Sequence, residues 1–338
     1  MRNFNIIETL PDQDNFHLFG ELPKQLYPDG SQRFILGNDP VPSEHLLSCF
    51  VLIEDDKSLA RCALYGKPGL KVDEKKACSI GSFESVDDIE VAESLLSHAM
   101  EKASSEGFEY VLGPMEGSTW NNYRFSDHNN HPNFFMEPYH HDYYGKLWEE
   151  CEFESVANYI SNLDTQLTFD DERITKWEER YKENGAIFRS IDLENLEADL
   201  LKLAKFNNEA FKENFLFTPI AEEDFVTKYA KLKQYFDPEI IWVVEDQSSD
   251  IQAISFSIPD YLDPTGKTLI IKSLARKKNT PFRGIGSYLA GKTYQIAAKR
   301  NFERVIHALM IVDNHSVSIS NNYEGDHYKS YTLYGKAL

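Results

Sequence analysis

Apolar and polar positions along this chain set out the same order of elements twice. In the first half, residues 45–54 (HLLSCFVLIE) and 58–65 (SLARCALY) are two β-rich runs separated by a short acidic turn, which predicts a hairpin. A third strand is expected over 77–83. Ile89, Ala92, Leu95, Leu96 and Met100 then recur at helical spacing, with Ser85 and Asp88 placed as a capping box and Gly107 as the stop. Residues 108–112 (FEYVL) predict another strand. The second half repeats this order, with strands over 239–245, 251–258 and 268–275, a helix from about Gly284 to Arg300 and a strand over 304–309. Two helices precede that series, near 194–213 and 221–235.

Both halves end on a further β-rich run, FESVANYIS at 153–161 and HYKSYTLYG at 327–335. A tandem duplication accounts for the repetition. It predicts an α/β (mixed α+β) chain of two domains, each a mixed, mostly antiparallel sheet flanked by helices. The boundaries expected are 1–161 for the first domain, 162–184 for a connector with a charged helix at 170–182, and 185–338 for the second.

Composition narrows the function. The 338 residues, 41% hydrophobic and 27% charged, suit a soluble two-domain protein. Pro11 and several acids interrupt the first twenty residues, and no apolar run reaches 18, so neither a signal peptide nor a membrane span is predicted and the expected location is cytoplasmic. Cys49, Cys62, Cys78 and Cys151 form no C-x-x-C pair and are expected as reduced, buried thiols. A net charge of −20 opposes nucleic-acid binding and favours a cationic substrate such as an amine.

The charge is uneven. From Lys267 to Arg304, ten basic residues face the single acid Glu303, a local +9 that includes Arg276, Lys277, Lys278 and Arg283. Within it, Pro281-Phe282-Arg283-Gly284-Ile285-Gly286-Ser287 follows a strand and opens a helix whose inward face is Ile285, Leu289, Thr293 and Ile296. Glycines admit close backbone approach and unpaired helix N–H groups attract an anion, so this turn is suited to a pyrophosphate.

These residues resemble the cofactor turn of the GNAT (N-acetyltransferase) superfamily, Gln/Arg-x-x-Gly-x-Gly/Ala. Gly284 and Gly286 match; Pro281 replaces the leading Gln/Arg, and Arg283 lies two places later. Asp313-Asn314 with Ser316 and Ser318 resembles the superfamily's second cofactor motif. The resemblance covers about 185–338 in sequence and 45–161 in architecture only. It implies acetyl-coenzyme A bound by Gly284, Ile285, Gly286, Ser287, Arg276, Lys277, Lys278, Arg283 and Asn314, with the backbone of Ser273 and Leu274 holding the acyl arm. It further implies N-acyl transfer to a primary amine, with Tyr331 or Tyr334 as the acid and Glu213, Glu222 or Glu223 as the base. The first half holds eight acids against Lys102 over 77–113, which predicts a degenerate copy without cofactor.

Gly113–Phe125 (GPMEGSTWNNYRF) sets aromatic beside hydrogen-bonding side chains and resembles a segment of large bacterial GNAT-like proteins. Trp120, Asn121, Tyr123, Arg124 and, further on, Tyr139 are the expected acceptor-binding residues. Arg124 would pair with a carboxylate and points to an amino acid or related amine. His128, His131, His140 and His141 lack metal-ligand spacing, and no metal is expected. A small-molecule amine is the expected partner, with the chain a monomer or homodimer. Two other readings stand beside this one: a non-catalytic acyl-coenzyme A sensor and a Fem-like aminoacyl transferase.

Overall fold

A computed structural model describes residues 2–34, 41–312, 315–323 and 325–338. Asp313 and Asn314, with the side chains of Ser316 and Ser318, lie outside the described residues. The chain forms two compact units: Met1–His128 with Glu137–Asn158 and Ser330–Leu338, and Asn129–Met136 with Tyr159–Lys329.

Chain order begins β1 (Asn5–Thr9), α1 (Phe16–Leu26), β2 (Leu46–Glu54), β3 (Lys57–Tyr65), β4 (Lys71–Val72), β5 (Lys75–Ser85), α2 (Ile89–Ser105) and β6 (Tyr110–Gly113). It continues with β7 (Phe125–Ser126), α3 (Tyr144–Glu150), β8 (Glu154–Asp164), α4 (Asp171–Glu183), β9 (Ile187–Ser190), α5 (Leu196–Ala210) and α6 (Glu222–Ala230). The remainder is β10 (Ile241–Glu245), β11 (Ile251–Pro259), β12 (Thr268–Arg276), α7 (Ile285–Lys299), β13 (Arg304–Ile311), α8 (His315–Ser320) and β14 (Asp326–Ala337).

The first unit's sheet runs β1-β2-β3-β5-β6-β14, antiparallel except for β5 beside β6. Asp55 and Asp56 close the β2–β3 hairpin with φ of 47° and 62°, the two left-handed residues of a tight turn that matches strand twist. One sheet face buries Leu52, Ala60, Cys62 and Leu64 against Val91, Leu95 and Leu96 of α2. Asp88 caps α2 alone: its carboxylate accepts from the N–H groups of Glu90 and Val91, and Arg2 pairs with it at 2.5 Å. Ser85, expected in a capping box, instead ends β5 and donates to Val86 O at 2.8 Å. All four cysteines are buried and free.

The second unit's sheet runs β9-β10-β11-β12-β13-β8, again antiparallel except for one pair, β12 beside β13. Each unit therefore has a crossover helix joining its two parallel strands, α2 in the first and α7 in the second. The 170–182 segment is no loose connector. Its α4 packs on α7, where Tyr288 Oη and Lys292 Nζ donate to Glu178 at 2.9 and 3.0 Å. Burial opposes the Glu178 charge, but hydrogen bonds from Lys182, Lys292 and Tyr288 outweigh it and bring its pKa down to about 2.

The units also depart from the contiguous blocks 1–161 and 185–338. The outer edge of β6 is covered by Tyr334–Ala337 of β14, from the far end of the chain. The outer edge of β13 is covered by Tyr159–Asp164 of β8, from the end of the first half. Strand pattern shows that a strand exists and is silent on which sheet it joins, so the two closing runs were expected in each other's place.

Chains 1–161 and 185–338, made separately, should each lack their closing strand and unfold without a cooperative urea transition, with cooperativity returning on mixing. A cooperative transition from either half alone would contradict the strand assignment.

Candidate functional site

In the second unit, β12 and β13 pair over Thr268–Arg304 to Ile271–His307. Both strands continue, but no pairing joins them beyond that point among the described residues. At the same level β12 carries an extra residue: Ser273 pairs with Phe256 and Ile271 with Ser257, leaving Lys272 as a β-bulge. A bulge bends its strand away from the ladder. The parallel pair thus opens into a wedge bordered on one side by Ser273 and Leu274, which remain paired to β11. The C-terminal ends of parallel strands are where α/β sheets take ligands.

The turn after β12 leads from this wedge to the start of α7. Phe282 is buried against Tyr181, Ile285 and Leu289 and anchors the turn. Gly284 has φ of 85°, a conformation that favours glycine, and caps α7 without a side-chain hydrogen bond. No acid occupies the first turn, so the helix N-terminus is not neutralised by its own side chains. Tyr181 Oη donates to Arg283 O at 2.9 Å, which ties the turn to α4. These features fit a phosphate group.

The basic surround is largely spent. Lys267, Lys277, Lys278, Lys292, Arg300 and Arg304 pair with Glu303, Asp250, Glu213, Glu178, Asp237 and Asp263 respectively. Arg276 donates to the carbonyls of Lys277 and Lys278 at 3.2 and 3.3 Å. Five of these acids, Asp250, Glu213, Glu178, Asp237 and Asp263, lie outside the segment and offset about half of its local +9. Glu213 is one of them: its ion pair with Lys278 at 2.9 Å lowers its pKa, which opposes a role as base. Glu222 opens α6, 3.6 Å from Lys205, and Glu223 is exposed beside it.

Tyr331 and Tyr334 do not belong to the second unit. Both are buried in the first, where Tyr331 Oη donates to Glu137 at 2.7 Å and Tyr334 Oη to Glu149 at 2.9 Å. Burial and Glu149 push the Tyr334 hydroxyl up from its usual range. The second unit has instead a polar group that sequence reasoning missed. Tyr294 Oη on α7 donates to Asp164 at 2.9 Å and meets His307 Nε2 at 2.8 Å, with Tyr323 stacked on Tyr294 at 4.1 Å. Asp164 arrives on the exchanged β8, so nothing local in sequence links it to Tyr294. Burial lowers the His307 pKa to about 4.

In the first unit the corresponding opening is filled. β5 and β6 pair over Ala77–Tyr110 to Ser79–Leu112, after which Met115 N donates to Ile80 O at 2.8 Å. A Cβ on Gly81 would lie 2.7 Å from Met115 O, so only glycine allows this closure. With Asp88 on the start of α2, nothing there suits a phosphate.

The expected acceptor residues Trp120, Asn121, Tyr123, Arg124 and Tyr139 all fall in the first unit. Met115 and Tyr123 bridge the turn that carries the first three, and Asn121 Nδ2 donates to Glu116 O at 2.8 Å. The buried Arg124 guanidinium lies 4.1 Å from the Tyr123 ring centre. The Tyr139 ring centre lies 5.8 Å from that of Tyr27. The four histidines share no centre: His140 Nδ1 donates to His141 O at 2.8 Å, and His131 stacks on Tyr328. Among the described residues no group of His, Cys, Asp or Glu could hold a metal ion, and no helix is long and apolar enough to cross a membrane.

No family model matches the chain. A bacterial ceramide synthase of Caulobacter vibrioides (strain NA1000 / CB15N) is 24% identical over 183 residues, 46% of this chain and 47% of that protein. The chain thus spans about half the length of this curated relative. Among solved structures, a probable N-acyltransferase of unknown function from Enterococcus faecalis V583 aligns with a TM-score of 0.58 at 7% identity, over 100% of this chain and 73% of that one. A tandem GNAT protein from the clavulanic acid biosynthesis pathway aligns with a TM-score of 0.53 at 9% identity, over 99% of this chain and 98% of that one. The chain has the GCN5-related N-acetyltransferase fold, in a tandem form.

His307 permits a pH test. Its folded pKa lies below the unfolded value near 6.5, so its contribution to stability is complete above about pH 6.5 and is lost as pH falls towards 4. His307→Gln should make the fall in urea midpoint between pH 6.5 and 4 shallower than in the parent chain; an unchanged slope would place the imidazole in solvent.

Proposed function

We propose that this chain is an N-acyltransferase that takes an acyl group, acetyl in the simplest case, from coenzyme A bound to the second unit and places it on a primary amine of a small molecule. The observation that carries the reading is the uncapped start of α7 beside the wedge between β12 and β13. The N–H groups of Gly286 and Ser287 would take the pyrophosphate, with Arg276 and Arg283 at the rim for phosphate charge. The pantetheine arm would follow the unpaired edge of β12 at Ser273 and Leu274. Amine nitrogen attacks the thioester carbon, the C–S bond breaks, and the amine's displaced proton balances the thiolate. The relative's name, ceramide synthase, describes formation of an amide from a fatty acyl group and an amino alcohol, the same bond type. Acceptor recognition by Trp120, Asn121, Tyr123, Arg124 and Tyr139 in the first unit belongs to the same proposal.

A second reading, an acyl-coenzyme A sensor, is favoured by one observation. Each side chain nominated as acid or first-choice base, Tyr331, Tyr334 and Glu213, is held by a charged partner.

Calorimetry should detect one coenzyme A per chain. Gly286→Asp, whose Cβ meets only the flexible Ile319 Cδ1 at 3.1 Å, should lower that affinity at least tenfold without unfolding the protein. Asp88→Asn, at the capped helix of the first unit, should leave it unchanged. Equal affinity in Gly286→Asp and the parent would end the assignment. Product formation from acetyl-coenzyme A across an amine panel separates transfer from sensing: binding without turnover favours the sensor.

A further inference from the structure

The acyl-transfer reading leaves its proton without a carrier, because Tyr331, Tyr334 and Glu213 are held by other partners. The buried polar group around Tyr294 in the second unit has no part in that reading. His307 belongs to this group, and its place in the sheet is particular. Among the described residues it is the last of β13 paired with β12, opposite Ile271, so it stands at the apex where the two parallel strands part. Its side chain lies on the α7 side of the sheet against Tyr294, while its neighbours Ile306 and Ala308 pack into the cluster on the other side.

Three elements meet the imidazole. α7 supplies Tyr294, whose hydroxyl lies 2.8 Å from Nε2, and β8 supplies Asp164, which accepts from that hydroxyl at 2.9 Å. Tyr323, which follows α8, lies 5.7 Å away between ring centres. Asn162 of β8 is paired directly with His307, and its amide donates to Ser320 Oγ at 3.0 Å. These contacts decide where the protons sit. The one proton of the Tyr294 hydroxyl goes to Asp164, so Nε2 carries its own proton and donates it to Tyr294 Oη. A neutral ring protonated at Nε2 has its lone pair on Nδ1. Burial keeps the ring neutral, lowering its pKa to about 4 against the pull of Asp164. Nδ1, the ring nitrogen nearer its own strand, has no hydrogen-bond partner among the described residues.

We propose that His307 carries the proton of the acyl transfer: Nδ1 takes it from the attacking nitrogen and returns it to the departing sulfur. The inference rests on the coenzyme A site proposed above, in which an arm that leaves the start of α7 and follows Leu274 and Ser273 runs back along β12 towards the apex. An N–H bond of the amine breaks as Nδ1 gains the proton, and the C–S bond breaks with its electron pair on sulfur. The imidazolium then gives the proton up to form S–H and is neutral again. Tyr294 and Asp164 are positioning residues: they hold Nε2 as the donor throughout, and the Asp164 carboxylate offsets the passing imidazolium charge.

The first test needs no acceptor. Nitrogen NMR of the whole chain, labelled at histidine, reads both ring nitrogens of His307, assigned by the signals missing from His307→Gln or, should that variant not fold, by those that move in Tyr294→Phe. At neutral pH the free chain should show a ring protonated at Nε2. Coenzyme A should move the Nδ1 signal, whereas desulfo-coenzyme A, bound with similar affinity in calorimetry, should leave it in place. Tyr294→Phe should admit the second tautomer while coenzyme A affinity stays nearly unchanged. With acetyl-coenzyme A and an amine that turns over, His307→Gln should lower kcat roughly 100-fold with little change in KM. A ring protonated at Nδ1 in the free chain, or an Nδ1 signal that ignores bound coenzyme A or answers equally to the desulfo analogue, overturns the proposal and leaves the coenzyme A site standing. Absence of any calorimetric binding removes the coenzyme A site itself, and this assignment with it.

Discussion

The constraint on which both units depend is the open flank of a parallel strand pair. Parallel strands need a crossover, here α2 or α7, and the strand that ends the crossover presents a row of unpaired backbone groups on its far side. In each unit an antiparallel strand encoded in the opposite half covers that row: β14 on β6 and β8 on β13. The exchanged strands also deliver side chains. β14 brings Tyr331 and Tyr334 to Glu137 and Glu149, and β8 brings Asp164 to the Tyr294 hydroxyl. Polar contacts inside each unit are therefore fixed by a pairing choice made across the whole chain.

One architecture, used twice, gives opposite outcomes at the mouth of the parallel pair. In the second unit a bulge at Lys272 and a left-handed Gly284 leave an edge and a helix start unspent. In the first, Met115 occupies the edge beside Gly81, and Asp88 takes the first N–H groups of α2. The Asp88 cap stabilises its helix by about 1 kcal/mol and excludes an anion by the same contact. Stability and anion binding draw on the same N–H groups, so a helix start used for one is closed to the other.

Much of this was legible in sequence, because periodicity reports which face of an element is buried. The β2–β3 hairpin, both crossover helices and the turn at Gly284–Ser287 lie where alternation and spacing put them. Strand partnership was not legible: FESVANYIS and HYKSYTLYG read as equivalent final strands, and only tertiary pairing separates them. Long-range polar partners were hidden for the same reason. Asp164 and Tyr294 lie far apart in sequence, as do Arg33 and Glu84, and no local pattern marks either pair. The acids that quench the basic segment are similarly scattered, from Glu178 to Asp263.

That quenching changes what would recognise a phosphate in the proposed site. A run of +9 suggests a field that draws anions from a distance, yet six of its ten bases sit within ion-pair distance of carboxylates. Opposite charges that close produce little potential beyond a Debye length of about 8 Å at physiological salt. What remains is short-range: the N–H groups at the start of α7 and the guanidinium charges of Arg276, whose Nη1 is bonded to backbone carbonyls, and Arg283. Recognition built this way would be set by hydrogen-bond geometry at the turn, and would depend more on the backbone conformation held by Gly284, Phe282 and Tyr181 than on the number of surrounding bases.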